Sequence, residues 1–526
     1  MEEADKKIVS LDVIKNDPRY KRPSVFLQRG TLADSAISAE TELVKLGVAI
    51  FRSATIIVEP TMYEVEASHG RKATAAGIRE VSASRLRYWM SKLLSFRRYN
   101  KERQSYYFVD PPPEIADYIL EQKESKFKPV TSVMTAPTMR PDGTVLWRPG
   151  YDATTGIYMI DPPEIKIPEN PTYDEAKAAL ATLNELLIEF PFTSGASRSV
   201  ALSGILSCVV RAAISRAPMH MVSATTAGTG KSYLVDICST IASGFHCPVI
   251  SAGRTEEEME KRLGAAIVMG RPFVSIDNVN GILAGDFLCQ AIERPQTDVR
   301  ILGKTQLVRV HNSVVIFSTG NNIQPSGDVV RRSIVCRLDA GIERPELRRF
   351  ERDPLLHAGA NRSKYLEAAL TITRAYIVAG KPGKLDPLAS FTEWSDLVRS
   401  SLVWLGEADP VDSIATARQS DPEFMRISAM LEALEDAGFN EVEHKMLNPT
   451  AAGILAAAAG NRELREALAS IGYRGELPNS RALGNWLTKH KDRVVNGMRL
   501  ITPTANNKHA KVWYVQRMVA PSETSN

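Results

Sequence analysis

Three apolar runs in the middle of the chain each end on small or polar residues. Residues 219–222 lead into a glycine-containing stretch, residues 272–276 (Pro-Phe-Val-Ser-Ile) rise to Asp277, and residues 313–319 (Ser-Val-Val-Ile-Phe-Ser-Thr) end at Gly320-Asn321-Asn322. This is the pattern of parallel strands buried on both faces and delivering polar side chains to one edge of a sheet. A helix-like run over 233–241 follows the first strand. Between the second and third, residues 297–311 alternate in polarity around Leu302-Gly303-Lys304-Thr305, which predicts a β-hairpin with a basic tip. A further apolar strand follows Arg331-Arg332.

On the N-terminal side the pattern predicts helices over 39–51 and 82–94, a strand over 55–59, and a helix starting at Glu114 after Pro111-Pro-Pro. Helices follow over 173–190 and 197–215. Beyond the arginine pair, residues 343–379 and 393–405 have helical periodicity, and the polar stretch 406–422 reads as a linker. The C-terminal part carries helices, then an amphipathic one capped by Asn479 or Ser480 with the stripe Leu483, Trp486 and Leu487. It runs into strands over 494–501 and 512–516. The expected fold class is therefore α/β, a parallel-sheet core with a mixed α+β module before it and a winged-helix-like module after it. The expected boundaries are 1–168 for the opening module, 169–215 for a helical collar, 216–345 for the core and 346–406 for a helical lid. The linker (407–422), the C-terminal module (423–518) and a tail (519–526) complete the chain.

Chemistry enters at the end of the first strand. Ser-Ala-Thr-Thr-Ala-Gly-Thr-Gly-Lys-Ser occupies 223–232, between strand and helix. Backbone N–H groups of Thr226, Ala227, Gly228, Thr229 and Gly230, and those at the start of the helix through Tyr233, are placed to cradle nucleotide phosphates. Lys231 would reach the β/γ oxygens and Ser232 a Mg²⁺ ion. Thr225 stands where the pattern has glycine. Asp277 is the second candidate Mg²⁺ anchor, and Asn278 after it can orient water but cannot accept its proton. Glu293 is a candidate substitute base. Asn321, with Asn322 second, is the candidate γ-phosphate sensor. Arg332, Arg331 or Arg337 would complete a neighbouring subunit's site, in that order of preference. Arg348, Arg349 and Arg374 are unranked second-sensor candidates.

For nucleic acid the candidates are Lys304 at the hairpin tip with Arg300 and Arg309 beside it, and Lys489, Lys491, Arg493 and Arg499 in the C-terminal module. The opening module adds Arg85, Arg87, Lys92, Arg97, Arg98, Lys101 and Arg103 interleaved with Tyr88, Trp89, Phe96 and Tyr99. That set reads equally as a DNA surface and as a solvated helix face beside a core stripe.

Composition narrows the picture. The 526 residues allow three or four domains, and a net charge of only +4 means that any nucleic-acid surface is local. The five cysteines form no CxxC pair, which suits reduced, buried thiols. The opening residues carry no apolar signal segment, and no run of about 20 apolar residues occurs, so a cytoplasmic protein without a membrane role is expected.

With these elements in this order the chain resembles the ring-forming replicative DNA helicases of phages, plasmids and integrated elements, a superfamily-three-like branch of the AAA+ ATPases, and bacterial prophage or mobile-element members in particular. Besides the core, the resemblance covers the regions 131–156 (with Thr-Ala-Pro-Thr-Met-Arg-Pro-Asp-Gly-Thr at 135–144), 313–339, 388–409 and 483–500. It implies an oligomeric, usually hexameric, Mg·ATP hydrolase in the bacterial cytosol that acts on single-stranded or forked DNA. Relatives are often fused to a primase. Here neither a paired-aspartate strand motif nor a zinc-ligand cluster is found, so a separate primase or other replication protein is the expected partner. Two alternatives stay open: an AAA+ switch that binds ATP without unwinding, and an initiator or regulator in which the C-terminal module does the work.

Overall fold

The computed structural model describes residues 17–122, 124–253, 255–300, 307–419, 421–440, 449–502 and 511–518. They form two compact units. The larger comprises 1–280, 285–323 and 332–411, and the smaller 281–284, 324–331 and 412–526.

A five-stranded sheet organises the larger unit, in the order Val249–Ser251, Phe273–Leu283, Val315–Pro325, Met219–Ala224, Ser333–Leu338. Met219–Ala224 runs parallel to both neighbours, with Ala224 opposite Asn321 on one side and Leu338 on the other. All six of its residues are buried, which is why the run does not alternate in polarity and why its two polar side chains, His220 and Ser223, are hydrogen-bonded inside the core, His220 to Ser203 and Ser223 to the Ile323 N–H. The helix Lys231–Ser243 leaves directly from its end. Against the sheet lies the helix Gly195–Val209, capped by Ser194, whose Leu202, Ile205 and Leu206 are fully buried. Each such side chain contributes about 1.5–3 kcal/mol. The helix stops short of the expected Ser215 because Arg211 is buried and its guanidinium donates to the carbonyls of Ile214 and Ser313, drawing the chain into a 3-10 turn.

The expected collar and lid pack together. The helix Tyr173–Glu185, opened by a capping box at Thr172, lies along Arg362–Val378, with Lys364 2.9 Å from Glu185. Trp394 is buried beneath them, its Nε1 donating to Ser207 at 2.9 Å.

The N-terminal residues fold differently from the pattern. A helix occupies Leu32–Lys45, and Phe51 already begins a strand. The strand expected over 55–59 extends over Ile56–Glu66 and pairs with Lys72–Glu80. A separate sheet of Ser24–Leu27, Ser95–Asn100 and Ser105–Val109 is backed by Leu32–Lys45, Ala83–Leu93 and Pro113–Glu121 around Val25, Leu43, Leu86, Met90, Phe96 and Ile115.

The stretch expected to be a linker is structured on both sides of the boundary between the two units, which falls within it at 411/412. Glu407 is buried and accepts from Asn184 and Arg198, Asp409 pairs with Arg399, and Asp412–Gln419 is helical. In the smaller unit Pro422–Asp436, Ala451–Ala457, Arg462–Ile471 and Ser480–His490 precede an antiparallel sheet of Val494–Val495, Met498–Ile501 and Tyr514–Arg517. Asn479 is the cap, accepting from Ala482 N–H at 2.8 Å. The single strand expected over 494–501 is a hairpin, because Asn496 and Gly497 both adopt positive φ (47° and 74°), as a two-residue turn requires. Among the described residues no helix is long and apolar enough to cross a membrane.

Candidate nucleotide-binding site

Where the strand Met219–Ala224 ends, the sheet opens into a cleft of about 540 Å³, lined by Ala227, Gly228, residues 230–233, Asp277, Asn278, Thr319, Gly320 and Asn321, together with His69 and Phe350. The strands expected to end at Asp277 and at Thr319 run on to Leu283 and Pro325. Gly228 and Gly230 hold φ of 77° and 95° and turn the loop. Gly228 has a second reason to be glycine: a Cβ there would lie 2.7 Å from the backbone N of Glu346, which lies against the loop.

The side chains singled out from the sequence meet here. Lys231 Nζ donates to Asn321 Oδ1 and to the Thr226 carbonyl, each at 2.8 Å. Burial pulls the Lys231 ammonium below the usual lysine range, and the nearby Asp277 carboxylate acts in the opposite sense. Ser232 Oγ lies 3.3 Å from Asp277 Oδ1, which also accepts from the Thr319 hydroxyl. Asn278 lines the cleft in the left-handed conformation, at φ 56°. A hydroxyl and a carboxylate facing each other are hard oxygen donors of the kind Mg²⁺ takes alongside water and phosphate oxygens, so the donor set fits that ion.

Three groups in the cleft escaped the sequence reading. Thr319 was visible only as the last residue of a strand. Gly320 matters by contact: a Cβ on it would sit 1.9 Å from the Val279 carbonyl, so only glycine lets the Asn321 and Asp277 strands close up. His69 arrives from the turn Ser68–Gly70, joined to the core by a bridge between Ala67 and Pro248, and nothing in the sequence links residue 69 to residue 231. Beside the cleft Tyr233 stacks on Phe350, with centroids 5.8 Å apart, and its hydroxyl donates to Asp353. Burial first, then Asp353, raises the Tyr233 pKa.

Other candidates lie elsewhere. Arg332 is only 7% exposed and its guanidinium donates to Glu293, which also accepts from Ser390. Neither Arg332 nor Glu293 lines the cleft. Arg331 is exposed and paired with Asp328 at 3.0 Å. Arg348 donates to the Glu189 carbonyl, and Arg374 to those of Glu169 and Gly143.

The hairpin forms from Gln296–Arg300 and Leu307–His311, and Val299, Val308 and Val310 are buried. Lys304 falls outside the described residues. Arg300 is exposed, whereas Arg309 pairs with Asp298 through two hydrogen bonds. In the smaller unit Lys489 and Arg493 lie 3.6 and 3.7 Å from Glu423, Lys491 lies 3.6 Å from Asp492, and Arg499 donates to Gln516. The N-terminal basic set divides. Phe96 is core, and Arg85 and Trp89 both donate to the buried Glu59, so that part is structural. Burial raises the Glu59 pKa, but hydrogen bonds from Arg79, Trp89 and Arg85 outweigh it and hold the carboxyl below its usual range.

No family model matches the chain, and no curated protein matches it. Among solved structures it is similar to the NrS-1 C-terminal region, at 11% identity and a TM-score of 0.36 over 92% of this chain and 98% of that one. It is also similar to SCCmec type IV Cch, described as an active helicase, at 11% identity and a TM-score of 0.32 over 89% of this chain and 97% of that one. JCV helicase follows at 13% identity and a TM-score of 0.21 over 48% of this chain and 74% of that one.

Proposed function

We propose that the chain is a Mg²⁺-dependent ATP hydrolase that works as a ring of subunits, moves on single-stranded or forked DNA and unwinds the duplex ahead of it. The observation that carries this reading is the pair of contacts across the cleft, Lys231 to Asn321 at 2.8 Å and Ser232 to Asp277 at 3.3 Å. They join the first residues of the helix Lys231–Ser243, where the phosphate loop ends, to the strands that carry Asn321 and Asp277. In this reading the loop N–H groups hold the phosphates, and Lys231 exchanges its contact with Asn321 for the β/γ oxygens. Asn321, so released, turns its amide N–H toward the γ-phosphate. Ser232 and Asp277 would hold Mg²⁺, which supplies neutralisation of the charge on the phosphates. Thr319 keeps Asp277 oriented, and Asn278 positions the attacking water without accepting its proton.

For the arginine given to a neighbouring site, exposure favours Arg331 over the buried Arg332. Lys304 is the proposed grip on DNA, with Arg300 beside it, and the smaller unit is read as a winged helix that adds DNA contacts. A six-membered ring, a partner primase, a cytosolic setting and a mobile-element role rest on the resemblance alone. The test is ATP hydrolysis with and without single-stranded DNA, run beside unwinding of a forked duplex, for wild type, Lys231→Ala and Lys304→Ala. DNA-stimulated hydrolysis and unwinding, both lost in the two variants while Lys304→Ala still binds ATP, is the expected result.

One observation favours a second reading, an ATP-driven switch or initiator. Asp277 is the sole carboxylate among the described residues lining the cleft, and Asn278 stands where a proton acceptor is needed. Slow hydrolysis indifferent to DNA, with normal ATP binding and no strand separation, would establish the switch and sink the helicase.

A further inference from the structure

We infer that the open face of the N-terminal sheet is a platform for single-stranded nucleic acid. Strand register puts Phe26 beside Arg97, Arg97 beside Phe108, and Tyr99 beside Tyr106, all on one face. The opposite face carries Val25, Leu27 and Phe96 into the core beneath the helices. Tyr20, from the turn Pro18–Lys21, joins the open face. Tyr20, Phe26, Tyr99 and Tyr106 are 44–47% exposed, a group of large rings left in water together.

The rings are ordered. Phe26 meets Tyr106 at 4.9 Å, Tyr99 meets Tyr106 at 5.2 Å and Tyr20 meets Phe108 at 4.8 Å, all edge to face, so ring faces remain free. Arginine guanidinium groups lie among them. Arg97 lies 5.1 Å from the Tyr20 ring and 5.0 Å from that of Phe108, and Arg19 lies 4.5 Å from Phe108. Arg97 Nε is buried without a hydrogen-bond partner.

Aromatic surface alone would also suit a protein partner. Charge decides between them: residues 17–28 and 95–110 carry seven lysines and arginines against three carboxylates, an excess as large as the net +4 of the whole chain. Exposed rings on a sheet, set in a cationic surround, accept stacked bases and hold the phosphates between them. Bases in a duplex are stacked on one another and cannot reach the rings, so the occupant is a single strand. The inference needs no nucleotide in the cleft and goes beyond the motor reading.

The test uses the full chain without nucleotide and a fluorescent deoxythymidine oligomer of about 15 residues, a length in the range one such surface covers. A matching uridine oligomer decides between DNA and RNA as the source of the strand. Tyr99→Ala with Tyr106→Ala is expected to weaken binding at least tenfold, while Tyr99→Phe with Tyr106→Phe stays within twofold of wild type. Photocrosslinking of an iodouracil-substituted oligomer is expected to mark residues of this face, and DNA-independent ATP hydrolysis is expected to stay unchanged. Wild-type affinity in the alanine pair, or crosslinks confined to other regions, overturns the proposal and leaves the face to a protein partner. Binding retained by Lys231→Ala keeps this result separate from the fate of the motor reading.

Discussion

As proposed binding surfaces, the cleft and the N-terminal sheet face are opposite solutions to holding a nucleotide. In the cleft the recognising groups are polar, concave and already paired with one another, Lys231 with Asn321 and Ser232 with Asp277. On the sheet they are rings left in water, with Arg97 among them. The first arrangement suits recognition of phosphate and metal charge by position, through groups held close together that exchange one another for the ligand. The second recognises base faces by area, which every base supplies. The difference teaches that affinity for a strand and turnover of a nucleotide need share no residue here, so each can be broken alone.

The largest expected effect is on the cleft. Lys231→Ala should lower the rate of ATP hydrolysis at least about 100-fold, the scale for removing a charge that stabilises phosphoryl transfer. Nucleotide-free binding of the thymidine oligomer should stay within twofold, measured by anisotropy. Loss of both together would mean that the two regions are one site. Next comes Gly320→Ala. The new methyl must displace the Val279 carbonyl, so the Asn321 and Asp277 strands move apart. A loss of about 2–3 kcal/mol in unfolding free energy is expected by denaturant titration, with hydrolysis reduced as well. Wild-type stability would show that the strands have slack at that point.

What could be read from the sequence follows the same division. The phosphate loop, Asp277 and Asn321 were legible because each is a short run whose strand context lies within a few residues. The sheet face was legible only in its second half, where Arg97 and Tyr99 belong to the set that read equally as a DNA surface and a helix face; its two halves, 20–27 and 95–108, are about 70 residues apart and meet only through tertiary pairing. Ser95–Asn100 carries two arginines in a row and merged with the basic helix before it. Lys72–Glu80 carries three alanines and a glycine against only two β-branched residues, Thr74 and Ile78, and is held by its partner Ile56–Glu66. Glu407, an acidic residue in a polar stretch, gave no sign of burial, because its partners Asn184 and Arg198 lie more than 200 residues away.

Acid should act on the core that carries the cleft. His220 sits in the phosphate-loop strand, and burial pulls its imidazole down to about 3 from the usual 6.5. The unfolded chain therefore takes up a proton below about pH 6.5 that the folded chain refuses until near pH 3. Unfolded protein binds more protons in that window, so stability falls as the pH falls through it, by up to about 1.4 kcal/mol per unit. Thermal melts from pH 7 to 4 should show this slope, and His220→Gln should flatten it. An unchanged slope would assign the acid sensitivity to other groups.

The smallest expected effect tests whether the two regions communicate at all. His69 is the one N-terminal side chain among the described residues lining the cleft, at the tip of the hairpin Ile56–Glu66/Lys72–Glu80. Its φ of 60° is costly for a non-glycine residue, and the Ala67 N–H bond to the Arg71 carbonyl at 2.8 Å holds the turn in place. A ring that touches the nucleotide without touching the reacting phosphate binds ground state and transition state alike. Removing it raises KM and leaves kcat unchanged. His69→Ala should therefore raise the KM for ATP about fivefold, near 1 kcal/mol, with kcat and nucleotide-free oligomer binding unaltered. An unchanged KM would make the turn a structural support, and the N-terminal residues would then take no part in binding ATP.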